Sequence, residues 1–180
     1  MESTRQKIIA VAQELIQQSG KADIRLTEIA DRLGITHGAL YRHFKNKQEL
    51  WIAVAKHWFD SEIIQQIKVA ETINKPHLIL HDWLWQFVNA KKRAYNEEPG
   101  MFTLNATYIE NDPEILRSVL LDSMKWIDQL MGYNQPHYEK AEAILATFAV
   151  FTLPSFRTTW NAPDYQARFE QIWRLIKLGL

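Results

Sequence analysis

The residues with the clearest chemical character lie in one short run, Thr36-His37-Gly38-Ala39-Leu40-Tyr41-Arg42-His43-Phe44, followed by Lys45-Asn46-Lys47. Read as a helix, the run puts Leu40 and Phe44 four residues apart on one face, turned inward. His37, Gly38, Tyr41, Arg42 and His43 are then left for the other face. A helix packed on all sides would not carry an Arg, two His and a Gly outward. Gly38 costs about 1 kcal/mol against Ala in a helix, which points to a second surface approaching the backbone there. His77 and His81, with Asp82 beside them, are the other spacing with chemical potential. Two His four apart can share a metal, but no His-Glu-x-x-His motif accompanies them and Pro76 leaves His77 in a first turn, so no metal site is expected. No Gly-x-Ser-x-Gly, Walker A or Gly-x-Gly-x-x-Gly pattern occurs, so an enzyme reading has no residues to stand on, and no cofactor is expected.

The elements that must hold the first run are legible around it. Ile8, Val11, Ala12, Leu15 and Ile16 form one helical stripe, with Gly20 placed as a C-cap. Thr27 is placed to N-cap a short helix carrying Ile29, Ala30 and Leu33, which ends at Gly34. Thr36 then caps the helix through Phe44, and Ile35 with Leu40 has the spacing of a hydrophobic staple. Asn46 and Glu49 resemble a capping box opening a longer helix through Leu50, Val54, Trp58, Ile63 and Ile67. Short helix, tight turn at Gly34, short helix is the layout of a helix-turn-helix.

Helical periodicity continues to the end and no strand-like alternation appears, so the fold class is all-α. Pro76, Pro113 and Pro163 each sit where a first helical residue is tolerated, with Asp112 as a cap before the second. Leu80, Trp83, Leu84, Phe87 and Val88 make one stripe, ending before Pro99-Gly100. A short piece follows from Met101 to Ile109. Leu116, Leu120, Met124, Ile127 and Met131 make the next stripe, stopped by Gly132. Residues 137 to 160 carry Ala141, Leu145, Phe148 and Thr152 on one side, with Pro154 kinking or ending that helix. The last helix shows Tyr165, Phe169, Trp173, Ile176 and Leu180. Lys91-Lys92-Arg93 reads most simply as a solvated face.

The string Leu26-Thr27, Ile29-Ala30, Leu33-Gly34-Ile35, Gly38, Leu40-Tyr41, His43-Phe44-Lys45, Lys47 and Glu49-Leu50 resembles the tetracycline-repressor (TetR) family of bacterial transcriptional regulators. The match covers about the first quarter of the chain, with apolar, Gly, aromatic and basic positions agreeing in register. The resemblance implies a three-helix DNA-binding domain over residues 1–48 and a helical ligand-sensing and dimerisation domain over 49–180. It puts Thr36, His37, Gly38, Tyr41, Arg42 and His43 on the recognition helix, with Thr27 and Lys47 clamping phosphates at helix N-termini. Arg42 then becomes the leading reader of guanine, with His37 second, Tyr41 a phosphate donor and His43 a backbone contact.

Residues 1–50 hold eight basic and six acidic side chains, a local net of +2 in a chain whose 21 Lys+Arg balance 21 Asp+Glu. A neutral chain can bind DNA where its positive charge is local. The absence of Cys excludes disulfides and thiolate metal sites. An opening without an apolar signal core, and apolar runs too short to span a bilayer, lead us to expect a cytoplasmic protein without membrane contact.

All seven Trp lie after residue 50. Trp83 and Trp85 cannot both face one side of a helix, so one is exposed, in an interface or lining a cavity. Trp83, Phe87, Met101, Phe102, Tyr108, Met124 and Trp126 form an aromatic and Met-rich set where the family keeps its ligand, with Asn105 and Thr107 as polar contacts or, equally, as exposed or capping residues. Phe148, Tyr165, Phe169, Trp173 and Ile176 offer a stripe for an isologous dimer, because a terminal helix can bury only part of it on its own chain. The expectation is a homodimeric repressor, released from a palindromic double-stranded operator by a small apolar or aromatic effector. The alternative is a ligand-binding or interaction protein whose helix-turn-helix lacks operator function.

Overall fold

Caps fix three of the first four helices of the computed structural model, which describes residues 3–69 and 75–180. Helix α1 (Thr4–Ser19) opens on a reciprocal capping box between Ser3 and Gln6 and closes at Gly20 in the left-handed region, φ 67°. Its inward face is Ile8, Ile9, Ala12 and Ile16. Helix α2 (Leu26–Leu33) is capped from Arg25, not Thr27: the Glu28 carboxylate accepts the Arg25 backbone N–H. Leu26 is buried and draws the first turn two residues earlier, which leaves Thr27 exposed within it.

The turn after α2 is a Schellman motif. Gly34 has φ 65°, and the Ile35 N–H donates to the Ala30 carbonyl at 3.0 Å. Helix α3 is shorter than the spacing predicts, His37–Leu40. Beyond it the chain tightens, with Arg42 N–H donating to Ala39 and His43 N–H to Leu40, so Tyr41 to His43 form turns and not a second α-helical turn. Thr36 occupies the cap position without a side-chain hydrogen bond. Leu40 is buried, with Ile35 packed at the core's edge as the staple requires.

Helix α4 (Lys47–Trp58) begins where Asn46 Oδ1 accepts the Glu49 N–H at 2.8 Å. The Glu49 carboxylate closes back on Lys45 N–H instead of on the cap residue itself. Arg5 lies 4.6 Å over the Phe44 ring and 4.0 Å from Glu49, tying α1 to the α3–α4 connection. The helix then widens to a π-helical stretch at Phe59–Ile64, with Gln65 N–H donating five residues back to Asp60. Ile67 therefore falls outside the helix expected to reach it.

Helix α5 (Pro76–Glu97) and α6 (Pro99–Asn105) both start on proline, and α6 continues as a π-helical stretch, Ala106–Glu110. The Thr107 hydroxyl donates to the Thr103 carbonyl, and Asn111 N–H donates to Ala106. The wider turn carries Ile109 into the core and Glu110 toward α5. Helix α7 (Pro113–Met131) is capped by Asp112, which accepts from Glu114 and Ile115, and ends at Gly132 with φ 67°.

The single helix expected across residues 137 to 160 is broken. Helix α8 (Glu139–Thr147) stops at Phe148, whose backbone leaves the helical region, and α9 (Ala149–Thr152) follows. Leu153 is extended, as a residue before proline tends to be, and a 3-10 helix spans Pro154–Thr159. Helix α10 (Tyr165–Ile176) starts two residues after Pro163, with Asp164 in the cap position. Among the described residues there is no strand, and no helix is long and apolar enough to cross a membrane.

One hydrophobic core runs through the protein, threaded by α4 and α5. Trp83 stacks on Phe87 at 5.2 Å and leans on Trp126, while Trp85 packs against Tyr165 and Phe169. Trp83 and Trp85 are thus covered by different neighbours of their own chain. The Tyr165 hydroxyl donates to the Val88 carbonyl at 3.0 Å, and burial pushes its ionisation well above the usual tyrosine range.

Helices α1, α4 and α6 meet at one joint. Glu98 Oε2 accepts from Gln17 Nε2 at 2.8 Å and from Trp58 Nε1 at 3.0 Å. A Cβ on Gly100 would stand 2.9 Å from the Gly20 carbonyl carbon and 3.0 Å from Lys21 N. Backbone cannot swing aside as a side chain can. Gly100→Ala is therefore expected to lower stability by about 1–3 kcal/mol, the usual range for overpacking, read as a lower urea midpoint at unchanged slope. An unaltered midpoint would mean that the two helix ends part without cost.

Candidate functional site

Two features stand out, an exposed polar face on the first helices and a cavity in the helical body. On the first, Thr27, Thr36, His37, Gly38, Tyr41, Arg42 and Lys47 are all exposed, and His43 is half-buried. Tyr41, 42% exposed, packs edge-on against His37 at 5.3 Å between ring centroids. A Cβ added at Gly38 meets nothing within 4 Å, so the chain's own packing does not demand glycine there. Lys47 is the first residue of α4, beside the backbone N–H groups that a helix start presents to an anion. Arg42, Lys45 and Lys47 add positive charge to the same run.

The cavity, of about 270 Å³, lies between α5, α7, α8 and α9. Phe59, Phe87, Leu116, Leu120, Met124, Leu145, Ala146, Ala149 and Leu153 give it an apolar wall. Lys91, Glu110, Arg117, Glu142 and Thr152 supply the polar atoms. Lys91 and Glu110 form a buried ion pair, their side chains 1% and 3% exposed, and the ammonium lies 5.3 Å over the Phe102 ring and 5.7 Å over Phe59. Arg117 pairs with Glu142 at 3.0 Å and donates to the His137 carbonyl.

Lys91-Lys92-Arg93 is therefore not the solvated face that its charge suggests. Lys92 is half-buried with its ammonium 4.4 Å over the Tyr165 ring, and Arg93 alone is exposed. The periodicity holds the signal for Lys91, which extends the inward stripe Leu80, Leu84, Phe87 by one turn. Of the aromatic set, Phe87 and Met124 line the cavity. Trp83 backs Phe87, Trp126 packs on Trp83, and Phe102 backs Lys91. Met101 and Tyr108 are packed elsewhere in the core, the second only partly buried. Asn105 is fully buried and its amide has no partner among the described residues, whereas Thr107 is exposed.

The stripe expected to remain uncovered for a partner does not remain so. Phe148 and Phe169 are fully buried and Tyr165 and Trp173 nearly so, because Trp85, Phe151 and His81 close over them. Ile176 is half-buried, and the outward apolar side chains are Leu175, 78% exposed, and Leu178, 88% exposed. His81 is engaged with Glu170 at 3.1 Å while His77 is exposed, and no His, Asp and Glu cluster of metal-binding size occurs among the described residues.

A capped helix-turn-helix head on an all-helical body that encloses a cavity defines the class. The sequence model described as "Bacterial regulatory proteins, tetR family" matches residues 8–54. An "HTH-type transcriptional regulator" of Staphylococcus aureus (strain bovine RF122 / ET3-1) is 33% identical over 86 residues, 46% of either chain. The regulator AcrR of Shigella flexneri is 46% identical over 50 residues, covering 28% of this chain and 23% of its own. The matched segment thus spans less than half the length of these relatives. A TetR transcriptional regulator from Rhodococcus sp. RHA1 shares the fold, with a TM-score of 0.59 over 94% of this chain and 93% of that one at 19% identity. Over residues 8–54 the chain is thus similar to the tetR family, and over nearly its whole length it shares the fold of a TetR regulator.

Proposed function

We propose that the chain is a one-component transcriptional regulator, not an enzyme, acting in the cytoplasm as a homodimeric repressor on double-stranded operator DNA. The observation that carries this reading is the exposed Thr36 to Lys47 face, held rigid from behind by the Gly34 Schellman turn and the Arg5–Phe44–Glu49 contact. Thr27 and Lys47 position phosphates, Tyr41 donates to a third, and Arg42 and His37 read base edges. His43 contacts the backbone, and Gly38 lets the DNA approach. The relatives named as transcriptional regulators support the same reading.

The cavity is the effector site in this reading. Helix α4 joins it to the head directly, with Lys47 at its first turn and Phe59, a cavity wall residue, just past its last. The α6 segment makes a second link, with Gly100 wedged on α1 at one end and Glu110 in the cavity wall at the other. Two recognition elements must sit about 34–36 Å apart to enter successive major grooves. A small rotation of each head would therefore remove the fit, provided the effector prefers the rotated state.

Selection from a random DNA pool tests the assignment. Enrichment of a palindromic site with salt-dependent affinity is expected. Failure to enrich any site would leave the alternative, a ligand-binding or interaction protein that keeps the head without operator function. For the dimer, Leu175 and Leu178 on the outer side of the C-terminal segment are the residues with surface left to bury. Leu175→Glu with Leu178→Glu is expected to give a folded monomer in sedimentation, whereas Phe169→Glu should lose the fold. A wild-type monomer at micromolar concentration would overturn the dimer.

A further inference from the structure

Glu110 lines the cavity with its side chain only 3% exposed, and only one of its oxygens is used. Oε1 pairs with Lys91, while Oε2 is buried with no partner among the described residues. A buried carboxylate oxygen without a donor is costly, and a donor brought by a ligand removes that cost. The charge balance selects the kind of donor. Lys91 already compensates Glu110, and Arg117 already compensates Glu142, so the cavity wall is neutral. A cationic head would add a net buried charge, and an anionic one would face the unpartnered oxygen. Thr152 turns its hydroxyl to the Phe148 carbonyl and the rest of the wall is aliphatic or aromatic. A cavity of about 150 Å³ suffices for benzene, so about 270 Å³ admits a ring with a short chain.

We propose that the cavity takes an uncharged, largely apolar molecule with one hydroxyl donor, of the alkylphenol or medium-chain alcohol class, whose O–H donates to Glu110 Oε2. The apolar body lies against Leu116, Leu120, Met124 and Leu145. Lys91 acts as a positioning residue, holding the Glu110 carboxylate by Oε1 so that Oε2 remains available. This rests on the reading of the cavity as the effector site and gives that site its chemistry.

Titration calorimetry with 4-butylphenol, its methyl ether and 4-butylbenzoate at neutral pH, paired with operator-binding assays, tests it. The phenol is expected to bind about 10- to 100-fold more tightly than the ether, the range for a hydrogen bond to a charged acceptor. In the double variant Lys91→Met, Glu110→Leu, which removes both charges and keeps the volume, the phenol's advantage should fall to about one while the ether still binds. Equal binding of phenol and ether to the wild type would overturn the donor assignment and leave the apolar effector site standing. Tightest binding by the benzoate would overturn it in favour of Lys91 as an anion partner. Phenol binding with the expected preference but no change in operator affinity would support the donor assignment and overturn the effector reading. No binding by any of the three at their solubility limits would overturn both.

Discussion

Lys91→Ala is expected to cost about 3–5 kcal/mol of stability, the range for removing one partner of a buried ion pair and leaving the other charge alone. In a chain of 180 residues that corresponds to a fall in melting temperature of roughly 10 °C. The reason lies in the surroundings: Glu110 has no second cation among its described contacts, and neither side chain reaches water. Lys91→Met with Glu110→Leu is expected to lie within about 1 kcal/mol of the wild type or above it, since an apolar pair of similar size carries no desolvation cost. Thermal unfolding of the two variants makes the comparison. A loss below about 1 kcal/mol for Lys91→Ala would mean that Glu110 finds water or another cation, and that the cavity wall is wetter than its lining implies.

The contrast between the two ends of the chain shows which features sequence reasoning reaches. The head is written in local signals. Gly20 and Gly34 stop helices by adopting positive φ, the Ile35 and Leu40 spacing fixes the entry of α3, and Asn46 starts α4, all within a few residues of the atoms they bond. The body is decided by contacts far apart in sequence. Lys91 in a basic triplet resembles solvent-facing charge until Glu110, nineteen residues on and turned by a π-helical stretch, supplies its partner. Periodicity alone carries the helix of residues 137 to 160 through Phe148, although that ring is pulled inward by Phe151 and Phe169 and the backbone breaks there. The same aromatic packing consumes the stripe of Tyr165, Phe169 and Trp173, whose apolar excess suggests a partner. An amphipathic pattern says that a face is buried, not against which chain.

These long-range contacts also shape how the two parts of the molecule would communicate. The Trp58 indole and the Gln17 amide share one oxygen of Glu98, and Gly100 admits no Cβ between α6 and α1. A joint of that tightness transmits displacement instead of absorbing it. Phe59 follows Trp58 directly and faces the cavity, so any ligand that pushes on Phe59 acts on the residue next to the joint. The head would thus be moved by two short levers, α4 and α6, that meet at Glu98.

Arg42→Ala and Lys47→Ala are expected to weaken operator binding in two distinguishable ways. Arg42 is exposed on the turn beyond α3, and a bidentate contact to guanine discriminates by about 1–3 kcal/mol per position. A two-fold dimer carries that loss in both half-sites, so roughly 2–6 kcal/mol is expected on a palindrome and much less on unrelated DNA. Lys47 starts α4 and would meet a phosphate, which is common to every sequence. Its removal should weaken specific and nonspecific binding together and reduce the salt slope by about one for each phosphate left without its lysine. Titrations on the selected site and on a scrambled duplex, each at several salt concentrations, separate the two. If Arg42→Ala lowered affinity equally on both duplexes, Arg42 would be a phosphate contact, and base reading would pass to His37 and the backbone around Gly38.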